Sequence, residues 1–432
     1  MRILVLGGYG LIGQAIVRHL HGLGHEVVGL GRSVSAGKRA FAAIPWISAD
    51  IADLTDARDW RPHLSGMDGI VNAAGALQDG LRDNLRFVHD KAIIALIDCA
   101  EASGVRTFVQ ISAPGAIAQA STAFMRTKAA GDAHLRESGL RWAIVKPGLV
   151  IGPNAYGGTA LIRMLAGFPV ILPLVHGDAL IRTVALAEVA DCVARALDGR
   201  LPERVEFELV EARPRSLRQI VQGFRQWLGV PPARAVIELP KPVGVFVAFI
   251  ADGLGQLGWR SPLRSTAMQV LSEGIQGDPE PYRRMTGAYA ASFEQTMLAL
   301  PATLQERWFA RLTLALPVMV AILSLFWLSS GLVGIWSMDQ AAAALPADSV
   351  PPAAAYGLVL AGAAVDLALG AAILYRPWAR RACFAMIAVT LAYLSAGTVL
   401  TPELWLDPFG AFVKAIPAAT LAWVASLVLE ER

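Results

Sequence analysis

Between Leu312 and Trp336 no Asp, Glu, Lys, Arg or His interrupts the chain. A stretch of that length covers the roughly 20 helical residues needed to cross the hydrocarbon core of a bilayer. A second apolar stretch runs from Ala353 to Tyr375, broken only by Asp366. A third runs from Ala382 to Leu400 and a fourth from Ala411 to Leu429, where Lys414 is the single charge and is placed to snorkel outward. A soluble reading would require four consecutive helices apolar on every side, which a water-facing bundle does not tolerate. Composition agrees: charged residues make up 17% of the 432 and the mean hydropathy is +0.48, with the excess in the last third.

The loops between these stretches predict an orientation. Arg307 and Arg311 precede the first, and Arg376, Arg380 and Arg381 separate the second from the third. The other two loops, "SMDQAAAALPADSVPP" and "TPELWLDPFG", carry only acids. By the positive-inside rule the N-terminal domain and the C-terminus both face the cytoplasm, as in a bacterial inner membrane protein. Several of Trp327, Trp336, Trp378, Trp405 and Trp423 fall at span ends, where an interfacial belt is expected. Asp366 stands near mid-membrane, either as a functional acid or as a hydrogen-bonded fastener between helices.

The first two hundred residues have a different pattern. "RILVLGG" is a buried-strand run, and "GGYGLIG" then leads into the helical "QAIVRHLHGLG". In Gly7-x-x-Gly10-x-x-Gly13 the first glycine turns the chain off the strand. The second lets the amides around Gly10, Leu11 and Ile12 approach a pyrophosphate, and the third lets helix and strand pack closely. The second strand, "HEVVGLGR", ends in Gly31, Arg32 and Ser33 where an acid for the ribose 2′-hydroxyl would stand. An arginine there pairs with a 2′-phosphate, so NADP(H) is favoured over NAD(H). "ISADIAD" ends a third strand with Asp50 and Ile51 beside an adenine. "DGIVNAAG" runs into Asn72, Ala73, Ala74 and Gly75, "TFVQISA" ends at Ser112, and "RWAIVKPGLVIGP" carries Pro147. Strands alternating with helices predict an α/β, doubly wound parallel sheet with its ligand at the strands' carboxyl ends.

That ordered set of motifs, with Lys128 in "AFMRTKAAGD", resembles the short-chain dehydrogenase/reductase superfamily. It is most similar to the extended and atypical, epimerase/dehydratase-like branches, over about half the chain. "HGDALIRTVALAEVADCVARAL" resembles that branch's later segment, where a strand leads into a helix near the substrate. The resemblance implies an NAD(P)-dependent Rossmann fold in which Lys128 holds the nicotinamide ribose and Ser112 the substrate oxygen. The family's catalytic tyrosine position is Phe124, a ring without an ionisable proton. Losing such a general acid costs about 10²–10⁴ in rate. Tyr156, after "IGPNA", is the candidate replacement; Thr127 is a poor acid, and water is a third source.

"ERVEFELVEARPRSLRQIVQGFRQWLG" reads as a strand and helix of a small substrate lobe, closing a domain over 1–240. Residues 241–305 form a connector. In it "KPVGVFVAFIADGLGQLGW" is too short to span and is interrupted by Asp252, so it is a helix lying on a membrane or buried under the lobe. "SPLRSTAMQVLSEG" follows as a polar helix. The tail over 306–432, an all-α four-helix bundle, resembles the DoxX-like family of membrane proteins.

The net charge of +3 is dispersed, which argues against nucleic-acid binding. Cys99, Cys192 and Cys383 are isolated, and His19, His21 and His25 flank a helix end with no carboxylate at ligand spacing, so no metal site is expected. "MRILVLGGYG" does not read as a signal peptide. Three functions are compatible. The first is a membrane-held oxidoreductase passing hydride to a quinone, another membrane redox component or a lipid carbonyl. The second is a non-catalytic nucleotide-binding subunit, and the third a tail that works as scaffold or transporter. Oligomeric state is left open.

Overall fold

The computed structural model describes residues 1–80, 84–259, 261, 263–345, 350–408 and 410–429. Asp348 and Phe409, in the two acidic loops, lie outside the described residues. The chain divides into two compact units, Met1–Asp252 with Ser261–Arg307, and Gly253–Arg260 with Trp308–Arg432.

The first unit is built on β1 (Arg2–Leu6), β2 (Glu26–Gly31), β3 (Trp46–Ser48), β4 (Gly69–Asn72), β5 (Thr107–Ile111) and β6 (Arg141–Pro147). With the strand Val205–Leu209 these form one seven-stranded sheet in the order Val205–Leu209, β6, β5, β4, β1, β2, β3, and every pairing is parallel. The chain works outward from β1 to β3 and then returns to β4 on the other side of β1. This reversal leaves a crevice beyond the carboxyl ends of β1 and β4, whose last residues, Leu6 and Asn72, are in register.

Alternation in β1 assembles the two layers. Ile3 and Val5 join Ile16, Val17 and Leu20 of α1 (Leu11–Gly22) on one face. Leu4 and Leu6 join Trp60 of α3 (Ala57–Leu64) and Ile93 and Leu96 of α4 (Ala92–Ala102) on the other. A parallel sheet covered on both faces needs such continuously apolar strands, and β1 and β4 are buried almost end to end.

Two expectations are corrected. Val205–Leu209 belongs to the main sheet, beside β6, and not to the small lobe. Phe207 and Leu209 are buried there, while Glu206 takes an ion pair from Lys146 on β6 at 2.7 Å. The "RWAIVKPGLVIGP" run is two strands, because after Pro147 the chain leaves the sheet and Leu149–Ile151 pairs with Thr183–Ala185. The small lobe consists of short pairings and the helices Gly157–Ala166, Leu217–Trp227 and Phe293–Ala299. Phe224 and Phe293 pack there with centroids 6.0 Å apart, and the buried Glu211 carboxylate accepts from Thr183 and from the Phe293 amide at 3.0 Å.

The second unit is helical. Leu304–Trp336, Pro352–Ala372 and Arg376–Leu400 are each long and apolar enough to cross a membrane. The fourth stretch forms Ala411–Val428, a shorter apolar helix containing Pro417. Trp327, Cys383 and Met386 fill the interior of the bundle, and Leu325 and Val399 point outward. Asp366 is buried, accepting from Ser330 Oγ at 2.7 Å and Tyr393 OH at 3.1 Å, so three helices meet at one carboxylate.

Candidate functional site

The crevice is lined first by the glycine turn. Gly7 has φ +66, a conformation that favours glycine, and a Cβ on it would meet the Ala74 Cα at 2.8 Å. A Cβ on Gly13 would lie 2.2 Å from the Gly7 carbonyl oxygen, so the third glycine sets how closely α1 approaches the turn. Gly10 is the residue before α1 and supplies no capping side chain, and the first-turn amides from Leu11 onward have no partner within the helix. This bare helix end contrasts with α2 (Val34–Ala40), where the Ser33 hydroxyl accepts from the Ala36 amide at 3.2 Å. An uncapped N-terminus behind a glycine turn fits a pyrophosphate through backbone amides and helix dipole.

The turn after β4 is held rigidly. Asn72 donates to Gln110 Oε1 at 2.8 Å and accepts from the Ala74 amide at 3.1 Å, while the Ala73 amide bonds the Leu6 carbonyl. Gly75 follows, where a Cβ would be 3.1 Å from His89 Nε2 and 3.5 Å from Lys128 Nζ.

Lys128 lies on α5 (Ala123–Glu137), a helix started by Thr122, whose hydroxyl accepts from the Met125 amide. The lysine is buried, and its ammonium donates to the Ile111 carbonyl at 2.8 Å. Burial pulls its pKa down to about 8, against the opposing pull of Asp132. One turn further along α5, Asp132 is fully buried and accepts from Ser112 Oγ at 2.5 Å. Burial raises its pKa, opposed by the Ser112 hydrogen bond and the Lys128 charge. Its other oxygen has no hydrogen-bond partner among the described residues. The Ser112 hydroxyl proton is thus directed at a carboxylate.

Phe124 packs edge-on against His89, with centroids 5.6 Å apart. His89 sits in a π-helical turn, Phe87–Lys91, a local widening found often at functional sites. Burial, then the charge of Lys128, lower its pKa well below the usual value, so the ring is neutral. Nε2 accepts from the Ala76 amide at 3.1 Å, which places the proton on Nδ1, facing Thr127 Oγ1 at 3.1 Å. The ring therefore ties the β4 turn to the helix that carries Lys128.

The remaining expected residues are more dispersed. Arg32 is exposed at the carboxyl end of β2. The Asp50 carboxylate accepts from the Ala52 amide at 3.1 Å, starting a short turn in which Ile51 is buried. Pro147 is buried at the end of β6, in register with Leu209. Tyr156 precedes the helix Gly157–Ala166 with its side chain half exposed, and no described hydrogen bond joins its hydroxyl to the Lys128 cluster.

His89, Asp132 and Gln110 were not legible as site residues. Asp132 had a usable signal, since its i+4 spacing from Lys128 puts both on one helix face. His89 had none, because its place depends on the π-turn and on contacts distant in sequence. Behind the cluster, burial would raise the Glu206 carboxyl, but hydrogen bonds and charge from Arg136 and Lys146 outweigh it and hold it at about 2. That network secures α5 to the sheet.

Known proteins place this architecture. Residues 7–199 match the NAD(P)H-binding family and residues 324–423 the DoxX-like family. WbmG of Bordetella bronchiseptica, solved with NAD, superposes with TM-score 0.51 at 17% identity, over 73% of this chain and 94% of its own. UDP-glucose 4-epimerase of Thermotoga maritima gives 0.53 at 16%, over 73% and 100%. The NADPH-dependent quinone oxidoreductase of Escherichia coli, solved with NADPH, gives 0.52 at 17%, over 68% and 98%. Among curated sequences, an uncharacterized protein of Schizosaccharomyces pombe is 38% identical over 95 residues, covering 22% of this chain and 27% of its own. An uncharacterized chloroplastic protein of Arabidopsis thaliana is 26% identical over 182 residues, covering 39% and 57%. The chain thus spans only about a quarter and somewhat over half of those two relatives. It combines an NAD(P)-binding Rossmann domain of epimerase/dehydratase-like fold with a C-terminal DoxX-like domain.

Proposed function

We propose that this protein is a membrane-anchored reductase that binds NADP(H) on the cytoplasmic side and delivers hydride to a lipid-soluble acceptor, a quinone in preference to a lipid carbonyl. The observation that carries this reading is the pairing of a buried Lys128 beside the β4 turn with a phenylalanine at 124. The amides after Gly10 and the turn Asn72–Gly75 would hold the nucleotide, with Arg32 meeting a 2′-phosphate. Reduced nicotinamide supplies the hydride when bound.

Phe124 leaves no hydroxyl to protonate a nascent alkoxide, and the Ser112 hydroxyl is engaged by Asp132. A ketone substrate needs that proton as the hydride arrives. A quinone does not, because its two-electron reduction yields a stabilised phenolate that takes a proton from water afterwards. Lys128 contributes charge that binds and orients. The DoxX-like domain supports a membrane location for the acceptor, and an E. coli protein of the same fold is named as an NADPH-dependent quinone oxidoreductase.

The test uses the full chain in detergent or nanodiscs, following NADPH oxidation with ubiquinone and menaquinone analogues and with medium-chain ketones. Turnover with quinones and none with ketones is expected. Phe124→Tyr should add ketone reduction if the pocket admits one. A second reading, a nucleotide-binding subunit without turnover, is favoured by the same Phe124. Tight NADPH binding with no acceptor-dependent oxidation would establish it and remove the first.

A further inference from the structure

The helix Lys241–Gln256 is arranged inside out for a helix in water. Its small residues, Gly244, Ala248, Ala251 and Gly255, are buried against the protein. Its large apolar residues point away: Val245 is 69% exposed, Phe246 63% and Phe249 75%, with Ile250 beside them. These fall at i, i+1, i+4 and i+5, a single stripe of the helix. The one acid, Asp252, points inward and is neutralised there, accepting from Gln78 at 2.9 Å and from Arg264 at 3.1 Å. A surface helix normally presents its polar groups outward and its bulky apolar ones to the core. This one does the reverse, and a contiguous apolar stripe marks a surface made for an apolar partner.

The residues just beyond this helix indicate which partner. The Leu257 carbonyl accepts from the Arg376 amide at 3.0 Å, and Trp259 Nε1 donates to the Leu374 carbonyl at 2.6 Å. The Arg376 guanidinium lies 5.6 Å from the Trp259 ring. Residues 374–376 form the turn between the apolar helices Pro352–Ala372 and Arg376–Leu400. That turn marks the edge of the bilayer, and a Trp and an Arg are the side chains that favour its interface. The helix thus ends on a segment fixed at the membrane surface. With 16 residues it is shorter than the ~20 a span needs.

We infer that the stripe of Val245, Phe246, Phe249 and Ile250 lies in the plane of the membrane, seated in the boundary between headgroups and acyl chains. The occupant of this surface is lipid. The inference rests on membrane integration of the three long apolar helices and is independent of any turnover. In-plane helices of this kind bury an apolar face at that depth.

Site-directed spin labelling of the full chain in vesicles of phosphatidylethanolamine and phosphatidylglycerol tests it. Cys99, Cys192 and Cys383 are buried, so labels report the introduced sites. Labels at Phe249→Cys and Phe246→Cys should be more accessible to oxygen than to a water-soluble nickel chelate. A label at Arg58→Cys, whose side chain is exposed to water on the first unit, should show the opposite. Leu325→Cys, outward on the first apolar helix, is the control for integration. If Leu325 carries the lipid signature while Phe249 and Phe246 are reached by nickel, the stripe is in water and the inference is overturned. If both stripe labels are shielded from oxygen and nickel alike, protein covers the stripe, through the chain itself or a second copy, and the inference is equally overturned. If Leu325 itself lacks the lipid signature, integration fails and the inference with it. NADPH binding by each labelled variant confirms that it is folded.

Discussion

Two buried acids, each on a helix and each hydrogen-bonded to a hydroxyl, have different surroundings. Asp366 accepts one hydroxyl on each oxygen, from Ser330 and Tyr393, and this closes the carboxylate within three helices. Asp132 uses one oxygen for Ser112 and leaves the other without a partner among the described residues, beside a lysine on the same helix face. The first arrangement fastens a bundle. The second retains unused polar capacity beside an ammonium, as a site that receives a ligand does.

The comparison breaks most sharply at the glycine turn. A Cβ at Gly13 would fall 2.2 Å from a backbone oxygen, with no flexible group to yield. Gly13→Ala should therefore weaken NADPH binding by about 100-fold or more, read by titration calorimetry. Equal affinity in wild type and variant would show that the nucleotide does not use this turn.

Lys128→Met removes a charge-assisted hydrogen bond, so NADPH affinity should fall about 10- to 100-fold. The wild type should also lose affinity as pH rises above about 8, by up to about tenfold per unit, as the ammonium deprotonates. Stability should move the other way. Between about 8 and the ordinary lysine value of 10.5 the unfolded chain binds the proton and the folded chain does not, so folding gains on the order of 3 kcal/mol across that window. Lys128→Met should lose both slopes, measured by parallel titrations and chemical denaturation against wild type.

His89→Ala leaves the Ala76 amide and Thr127 without their partner and should destabilise the first unit by about 1–3 kcal/mol. His89→Gln, which can still accept at the Nε2 position, should recover part of the loss in thermal denaturation. No difference between the two variants would exclude a role for the imidazole acceptor. The smallest effect belongs to the other acid. Asp366→Asn keeps hydrogen-bonding atoms at the helix crossing and should cost the bundle under about 1 kcal/mol in a steric-trap or mild-detergent unfolding assay, with NADPH affinity unchanged. A large loss of affinity or turnover in Asp366→Asn would overturn the reading of that carboxylate as a fastener.

Much of this was legible in the residues. The glycine turn, Asn72 and Ser112 occupy strand ends or their continuations, where parallel α/β units place their ligands, and Lys128 lies on the helix that follows β5. Uncharged runs longer than a bilayer is thick leave one folding solution, which is why three spans were readable, the first and third helices starting several residues earlier than their uncharged runs. Val205–Leu209 was misplaced because apolar alternation reports that a strand is buried on one face and not which sheet it joins. Tyr156 was a candidate from its place just after "IGPNA", and the fold uses its backbone to begin a helix.

The sequence by itself determined a nucleotide-binding Rossmann domain joined to a membrane bundle, together with a side chain without an ionisable group at Phe124. These follow from local rules: glycine where a side chain cannot fit, apolar length matched to lipid, and a ring that has no ionisable proton. The tertiary structure alone decided that Ser112 faces Asp132, that His89 ties the β4 turn to α5, and that Asp252 turns inward while Phe246 and Phe249 face out. Those outcomes depend on which distant segments share a low-dielectric interior, where an unpaired polar group is costly and each must take the partner the fold brings within reach.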